Sequence, residues 1–285
     1  MDHPFTTVLF DIDGTLTHDG WVDPALLGRL LALRRRGLRL ALCTARSLLE
    51  VEDFITRELG AAVPPDGPFN GGLILEEGHV WLPPEAASLD HVAVLTSPAA
   101  MAEMGAFRRL FASAWRPAPD PALAAEGWGT LEGTDGPLVQ EIPAIWRTLG
   151  SVTIWKREYG AEAHEHRGAA DPLAAWALEA AAALGLQHTE IIAGVYGLRL
   201  LERGRDKGSA LLDLGYDLAR TVFIGDGAND LPVVRALRAA GGGVMAIANS
   251  IGPIKEAALA VAVRPASAGV VELLALLEAR LDGAR

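Results

Sequence analysis

Thr6-Thr7-Val8-Leu9-Phe10-Asp11-Ile12-Asp13-Gly14-Thr15 begins as a short β-rich run and stops on two acids. The segments after it set the architecture. A helical pattern extends from Pro24 to about Arg36, with the proline near its first turn and Gly37 just past its end. Leu38 to Thr44 is a second, uninterrupted apolar run, suited to a strand buried on both faces. Ser47-Leu48-Leu49-Glu50 has capping-box spacing and opens a helix that ends near Gly60. Strand, helix, strand, helix in this order predicts a parallel sheet with crossover helices.

The alternation lapses in the middle of the chain. Residues 83–150 are rich in Pro, Ala and Gly, and five of the seven tryptophans (Trp115, Trp128, Trp146, Trp155, Trp176) fall between 115 and 176. A helix over Ala99 to Trp115, a strand over Ser151 to Arg157, a helix from Asp171-Pro172 to about Leu184 and one or two strands in Ile191 to Leu201 make an α+β insert. After Gly204 the pattern resumes. It reads as a helix over Lys207 to Leu214, a strand over Thr221 to Ile224 and a helix over Asp230 to Ala239. A strand over Val244 to Ala248 and a closing helix over Ser267 to Leu281 complete it. The expected fold is α/β: a Rossmann-like parallel sheet with helices on both faces, formed by residues 1–80 and 201–285. An α+β cap at 81–200 interrupts it.

A chain of 285 residues can hold one large domain or two modest ones. Its net charge of −11 argues against a nucleic-acid or anionic-membrane partner, while a local site for a small anion remains compatible. The single cysteine, Cys43, lies in an apolar run; it excludes a disulfide framework within the chain and fits a reducing cytoplasm. The start, MDHPFTTVLFDIDGT, lacks a basic segment, and no uncharged apolar stretch reaches membrane-spanning length. The expectation is a soluble cytoplasmic protein, monomeric or homodimeric.

Four features sit at the ends of core strands or in the turn after them, where an open α/β sheet places its ligand. Asp11 and Asp13, one residue apart after a strand, project to the same side, and Gly14 lets the chain turn away. Alone, they read equally as an Asp-rich loop capping the next helix. Thr44 is a lone hydroxyl closing an apolar strand, followed by Ala45-Arg46; alone, it is a residue at a helix start. Lys207, in Arg205-Asp206-Lys207-Gly208-Ser209, opposes a helix dipole unless an anion balances it; alone, it is a solvated lysine. Phe223-Ile224-Gly225-Asp226-Gly227-Ala228-Asn229-Asp230 is a strand-to-helix turn in which one acid or amide would cap the helix. A cap explains one such residue, not three. The spacings, 33 positions from Asp11 to Thr44 and 19 from Lys207 to Asp226, bring all four features to one sheet edge. Clustered carboxylates there call for a hard cation such as Mg²⁺, and a cation, a lysine and a hydroxyl around one point suit a phosphoryl group.

Taken in order, DIDGTL, TAR, RDKGSAL and GDGAND resemble the four motifs of the haloacid dehalogenase superfamily of phosphohydrolases, over the whole core. That resemblance implies Asp11 as a nucleophile forming an aspartyl-phosphate and Asp13 as general acid and base. It implies Mg²⁺ held by Asp11, the Asp13 carbonyl, Asp226 and, directly or through water, Asp230. It gives Thr44 and Lys207 to the phosphate. Gly14, Asn70 and Asn229 have supporting positions.

GDGANDLP by itself looks most like phosphoserine phosphatase, whose cap follows the first motif. Here the cap lies between Thr44 and Lys207, after Phe69-Asn70-Gly71-Gly72, as in the Cof-like, type IIB branch. That branch also carries a stretch like Ala248-Asn249-Ser250 to Lys255, whereas Gly72, Ala248 and Pro232 depart from its usual pattern. The implied substrate is a small phosphorylated metabolite, such as a sugar phosphate, with Trp155, Lys156, Arg199 and Arg203 as candidate selectors in the cap. Alternatives are a phosphotransferase or mutase, a mannosyl-3-phosphoglycerate-type phosphatase, or a non-catalytic phospholigand binder. His164-Glu165-His166 reads as solvated surface, not a metal site.

Overall fold

In the computed structural model the first strand and helix pair stands where the sequence puts it, with ends shifted by a residue or two. The structure describes residues 5–84, 86, 88–132, 138–141, 148–157, 171–194 and 197–283. Trp146 and His164-Glu165-His166 lie outside these residues. The chain forms two units, Met1–Leu95 with Arg205–Arg285, and Thr96–Gly204.

The strands of the first unit are β1 (Thr7–Phe10), β2 (Arg39–Cys43), β3 (Leu73–Leu75), β4 (Val80–Leu82), β5 (Ala93–Val94), β12 (Thr221–Gly225) and β13 (Gly243–Ala246). They form one sheet in the order β13-β12-β1-β2-β3-β4-β5. The first five in that order are parallel, and β4 and β5 close the edge as antiparallel strands. The expected core ended at residue 80. The sheet instead continues to Val94, because β4 pairs with β3 and β5 with β4.

Side chains of the central strands alternate between two covered faces, so the strands are apolar throughout. Leu9, Ala41, Phe223 and Val244 pack against α6 (Lys207–Asp213), α7 (Leu231–Ala240) and α8 (Gly252–Ala257). The alternate positions Val8, Phe10, Leu40 and Leu42 are buried on the other side, where α1 (Leu26–Arg35) packs on α9 (Ala266–Gly283). The capping box at α2 (Leu48–Asp53) is formed, with the Ser47 backbone N–H 2.7 Å from the Glu50 carboxylate. Beyond α2 the helix widens: the Leu59 N–H reaches back five residues to the Phe54 carbonyl, 2.9 Å away, over Phe54–Glu58. Cys43, the last residue of β2, is fully buried, and burial drives its thiol pKa far above the ordinary value.

The second unit holds a sheet of β6 (Trp115–Pro117), β7 (Gly129–Leu131), β8 (Leu138–Glu141), β9 (Val152–Arg157), β10 (Thr189–Gly194) and β11 (Gly197–Glu202). Its order is β10-β11-β9-β8-β7-β6, antiparallel throughout. Of its helices α3 (Pro98–Ala114), α4 (Pro121–Ala125) and α5 (Pro172–Leu184), the long pair α3 and α5 covers one face. Val139, Val152, Ile154, Leu198 and Leu200 meet Met104, Phe107, Phe111, Leu173 and Ala177 there. Trp176 stacks edge-on against Phe107 and Phe111, at 5.7 and 6.0 Å between ring centres. Among the described residues no helix is long and apolar enough to cross a membrane.

Candidate active site

Parallel pairing brings the carboxyl ends of β1, β2 and β12 side by side; Asp11 directly follows β1, Thr44 follows β2 and Asp226 follows β12. The Asp11 N–H extends the β1–β12 ladder by donating to the Ile224 carbonyl at 3.0 Å, which fixes the start of the acidic loop. Asp11 is almost wholly buried. Burial raises its pKa well above the ordinary carboxylate value, as does the Asp230 charge, with Lys207 opposing both. Gly14 has φ of +74°, and a Cβ there would collide with the Asp226 carboxylate, so the turn needs glycine.

Lys207 is the electrostatic centre. It opens α6 behind a formed capping box at Asp206 and is fully buried, with its ammonium 2.8 Å from Asp11 Oδ1 and 2.7 Å from Asp230 Oδ1. Burial alone would lower its pKa; the charges of Asp11, Asp230 and Glu77 outweigh that and raise it. A lysine at a helix start is disfavoured by the dipole, and here two carboxylates compensate it.

Asp230 has both oxygens committed. Oδ2 accepts the backbone N–H groups of Asp226 and Gly227 at 3.0 and 3.1 Å, and Oδ1 accepts from Lys207. It closes the turn after β12 and aims Lys207. Asp226 is held from two sides: the Thr15 hydroxyl donates to Oδ1 at 2.9 Å and the Asn249 amide to Oδ2 at 3.2 Å. Its pKa is raised, first by burial and then by Asp230, against the Thr15 hydrogen bond and Lys207. Asp11, Asp226 and Asp230 can each offer one oxygen with all three oxygens within 4.8 Å of one another. Hard oxygen donors at that spacing, with two carboxyl groups destabilised as anions, fit a divalent cation.

Thr44 is fully buried; its N–H donates to the Ile74 carbonyl at 2.9 Å, and its hydroxyl oxygen accepts the Arg46 N–H at 3.2 Å. Among the described residues the hydroxyl proton has no acceptor, which leaves it to donate elsewhere. Asp13, in contrast, has a side chain 61% exposed and is paired with Arg46. Asn229 donates to Glu77 Oε1 at 3.3 Å. Asn70 is not brought to this cluster: its Oδ1 accepts the Leu40 N–H at 3.0 Å, near the opposite end of β2 from Thr44. It anchors the chain before β3.

Five participants stand outside the candidate site residues of the sequence: Thr15, Arg46 and Asn249, which lie within the quoted motifs without an assigned role, and Glu58 and Glu77, which no motif includes. Glu76 and Glu77 are buried with φ of +50° and +59°. Their N–H groups donate to the Arg46 and Thr44 carbonyls at 3.0 and 3.1 Å, which ties the exit of β3 to the loop after β2. Asn249 is satisfied on three sides, donating to Asp226 and, at 2.8 Å, to the Gly14 carbonyl, and accepting the Ala266 N–H at 2.8 Å. These partners fix its amide orientation. If the three carboxylates hold a divalent cation, Asn249→Ala and Thr15→Val should each weaken its binding by roughly 10–100-fold, the usual cost of losing a residue that orients a metal ligand. Calorimetric titration of the metal into each variant, without substrate, measures this.

All four candidate selectors belong to the second unit. Lys156 pairs with Asp171 at 2.6 Å, and Arg203 donates to the Gln187 and Thr189 carbonyls at 3.3 and 3.0 Å. Arg199 faces Thr153 in the β11–β9 register, and Trp155 lies two residues along β9. Both therefore project from the face away from α3 and α5, and Trp155 is 39% exposed.

The profile of the haloacid dehalogenase-like hydrolases matches residues 8–94 and 188–274. Among curated proteins none matches by sequence. Solved structures share the fold along nearly the whole chain. A haloacid dehalogenase-like hydrolase from Bacteroides thetaiotaomicron is 17% identical, with a TM-score of 0.61 and 96% of this chain and 99% of that one covered. A Thermotoga maritima protein is 16% identical, with a TM-score of 0.62 and coverage of 95% and 96%. The sucrose-phosphatase of Synechocystis sp. PCC6803, in complex with sucrose and phosphate, is 13% identical, with a TM-score of 0.56 and coverage of 96% and 98%.

Proposed function

The chain belongs to the haloacid dehalogenase-like hydrolase family, and from that membership we propose that it is a Mg²⁺-dependent phosphatase of a small phosphorylated metabolite. The observation that carries this reading is the charge of the cluster. Three carboxylates face one buried ammonium, so Asp11, Asp226 and Asp230 outweigh Lys207 by two charges when ionised. A phosphate dianion would be repelled from such a site unless a divalent cation balanced it. Asp11, Asp226, Asp230 and the Asp13 carbonyl would hold the ion, which would supply charge neutralisation for the phosphoryl oxygens.

The chain's own residues carry the two steps. Asp11 attacks phosphorus through a carboxylate oxygen as the bond to the leaving oxygen breaks, and the Asp13 carboxyl gives its proton to that oxygen, releasing the alcohol. Water then attacks the phosphorus of the aspartyl-phosphate while the Asp13 carboxylate takes a proton from it. The bond to Asp11 breaks, and inorganic phosphate leaves. Thr44 donates its free hydroxyl proton to a phosphoryl oxygen. Lys207 commits two of its three protons to Asp11 and Asp230. The third goes to the phosphate.

A sugar phosphate is the favoured substrate class, supported by the fold shared with a sucrose-phosphatase. Trp155 and Arg199 are the favoured selectors, by their shared face of the second sheet. The test is release of inorganic phosphate from a panel of phosphorylated metabolites with Mg²⁺ and no acceptor alcohol. Turnover that stops with a chelator and returns with Mg²⁺ is expected; phosphate appearing only when an acceptor is added would make the protein a phosphotransferase.

A further inference from the structure

Asp13 differs from the other acids of the site in being mostly exposed, yet its carboxylate is held more firmly than exposure suggests. Arg46 grips it as a fork, with Nη2 2.8 Å and Nε 3.2 Å from Oδ1, and Nε 3.1 Å from Oδ2. The guanidinium is itself fixed. Its Nη1 donates to Glu58 Oε1 at 3.2 Å, its carbon lies 5.6 Å from the centre of the Phe54 ring, and its side chain is only 18% exposed. Glu58 is pinned in turn by the Thr17 hydroxyl, which donates to Oε2 at 2.7 Å. The widened turn over Phe54–Glu58 supplies both the ring and the carboxylate. Thr17 belongs to the same loop as Asp13, to which it is bridged in backbone pairing. The chain of contacts therefore closes on itself: Asp13, Arg46, Glu58, Thr17 and back to the Asp13 loop.

A planar fork held on two sides leaves the carboxylate few rotamers. We propose that Arg46, braced by Glu58 and Thr17, is a positioning residue that holds Asp13 in the orientation from which it gives its proton to the leaving oxygen. The inference rests on the proposed phosphatase reaction and adds to it the group that aims the acid. Among the described residues Arg46 is the side chain that donates to the Asp13 carboxylate. Without the fork an exposed carboxylate would sample several orientations, and only some reach the leaving group.

The consequence is selective. A leaving group that departs readily as an anion needs little help from Asp13, whereas a poor one needs its proton. The experiment compares kcat/KM for a series of substituted phenyl phosphates, from p-nitrophenyl phosphate to unsubstituted phenyl phosphate, in wild type, Arg46→Met, Arg46→Lys and Glu58→Gln. General acid catalysis contributes about 10²–10⁴-fold. Arg46→Met should lose less than about 10-fold on p-nitrophenyl phosphate and on the order of 10²-fold or more on phenyl phosphate. The dependence on the leaving group would steepen accordingly. Arg46→Lys, which keeps the charge but not the fork, should recover part of the loss. Glu58→Gln, which leaves Arg46 in place, should show the same signature in weaker form and covers the case of an Arg46→Met protein that does not fold. Equal losses across the whole series, or no loss, in the folded variants would overturn the role of Arg46. A wild type that releases phosphate from neither the aryl phosphates nor the metabolite panel would instead refute the phosphatase reading, and this inference with it.

Discussion

Replacing Asp11 with asparagine should abolish turnover of an aryl phosphate, by about 10⁴-fold or more, while the protein stays folded. The amide oxygen is a poor nucleophile, and the substitution leaves no carboxylate at the end of β1. The stability effect has a definite sign. The Asp11 pKa is raised in the folded chain, chiefly by burial and then by Asp230. A raised folded pKa means that the stabilising contribution is full below the unfolded carboxylate pKa and is lost as pH rises through the folded value. Above that window, ionised Asp11 works against the fold in the metal-free protein. The amide carries no charge and escapes that cost. Asp11→Asn should therefore match or exceed the wild type in urea unfolding near neutral pH and lose the advantage in acid. Retained turnover would remove Asp11 from the nucleophile's place.

Lys207→Met carries the largest expected structural cost. It leaves Asp11 and Asp230 buried without the ammonium that lies 2.8 and 2.7 Å from them. Removing one partner from a buried ion pair costs about 3–5 kcal/mol, because the remaining charge is stranded. The Asp11 carboxyl can relieve this by taking up a proton, so the loss should shrink as pH falls into its raised range. Lys207 itself obeys the raised-pKa rule: its contribution is complete below the ordinary lysine value and disappears only as pH climbs through the higher folded value. Mg²⁺ should restore part of the lost melting temperature, since a cation can neutralise the same two carboxylates. An unfolding free energy equal to the wild type's would contradict the central place given to Lys207.

The acid cluster was legible in the sequence because its members come after strands whose order could be counted. β1, β2 and β12 are apolar runs with helices between them, so the positions of Asp11, Thr44, Lys207 and Asp226 along the chain already implied one edge. The partners that hold those residues were not legible. Asn249 lies in a stretch that the sequence marks, but its contacts with Asp226 and Gly14 cross the chain, and Glu77 meets Asn229 from 152 positions away with no local pattern to mark it. Arg46 was visible beside Thr44, but its fork on Asp13 depends on a widened helical turn that periodicity does not encode. Asn70 erred in the other direction. Its position before the insert suggested the site, while its side chain serves the far end of β2. The junction after residue 80 was missed because β4 and β5 turn antiparallel at the edge, against the pattern set by the strands before them.

Cys43 gives the chain a practical property. It is the sole cysteine, lies sealed in the core, and its thiol resists ionisation, so the native protein offers no nucleophilic sulfur to alkylating reagents. A cysteine introduced at an exposed position such as Leu178 on α5 would then be a unique attachment point. A fluorophore there reports on the second unit alone, with the wild-type interior left intact.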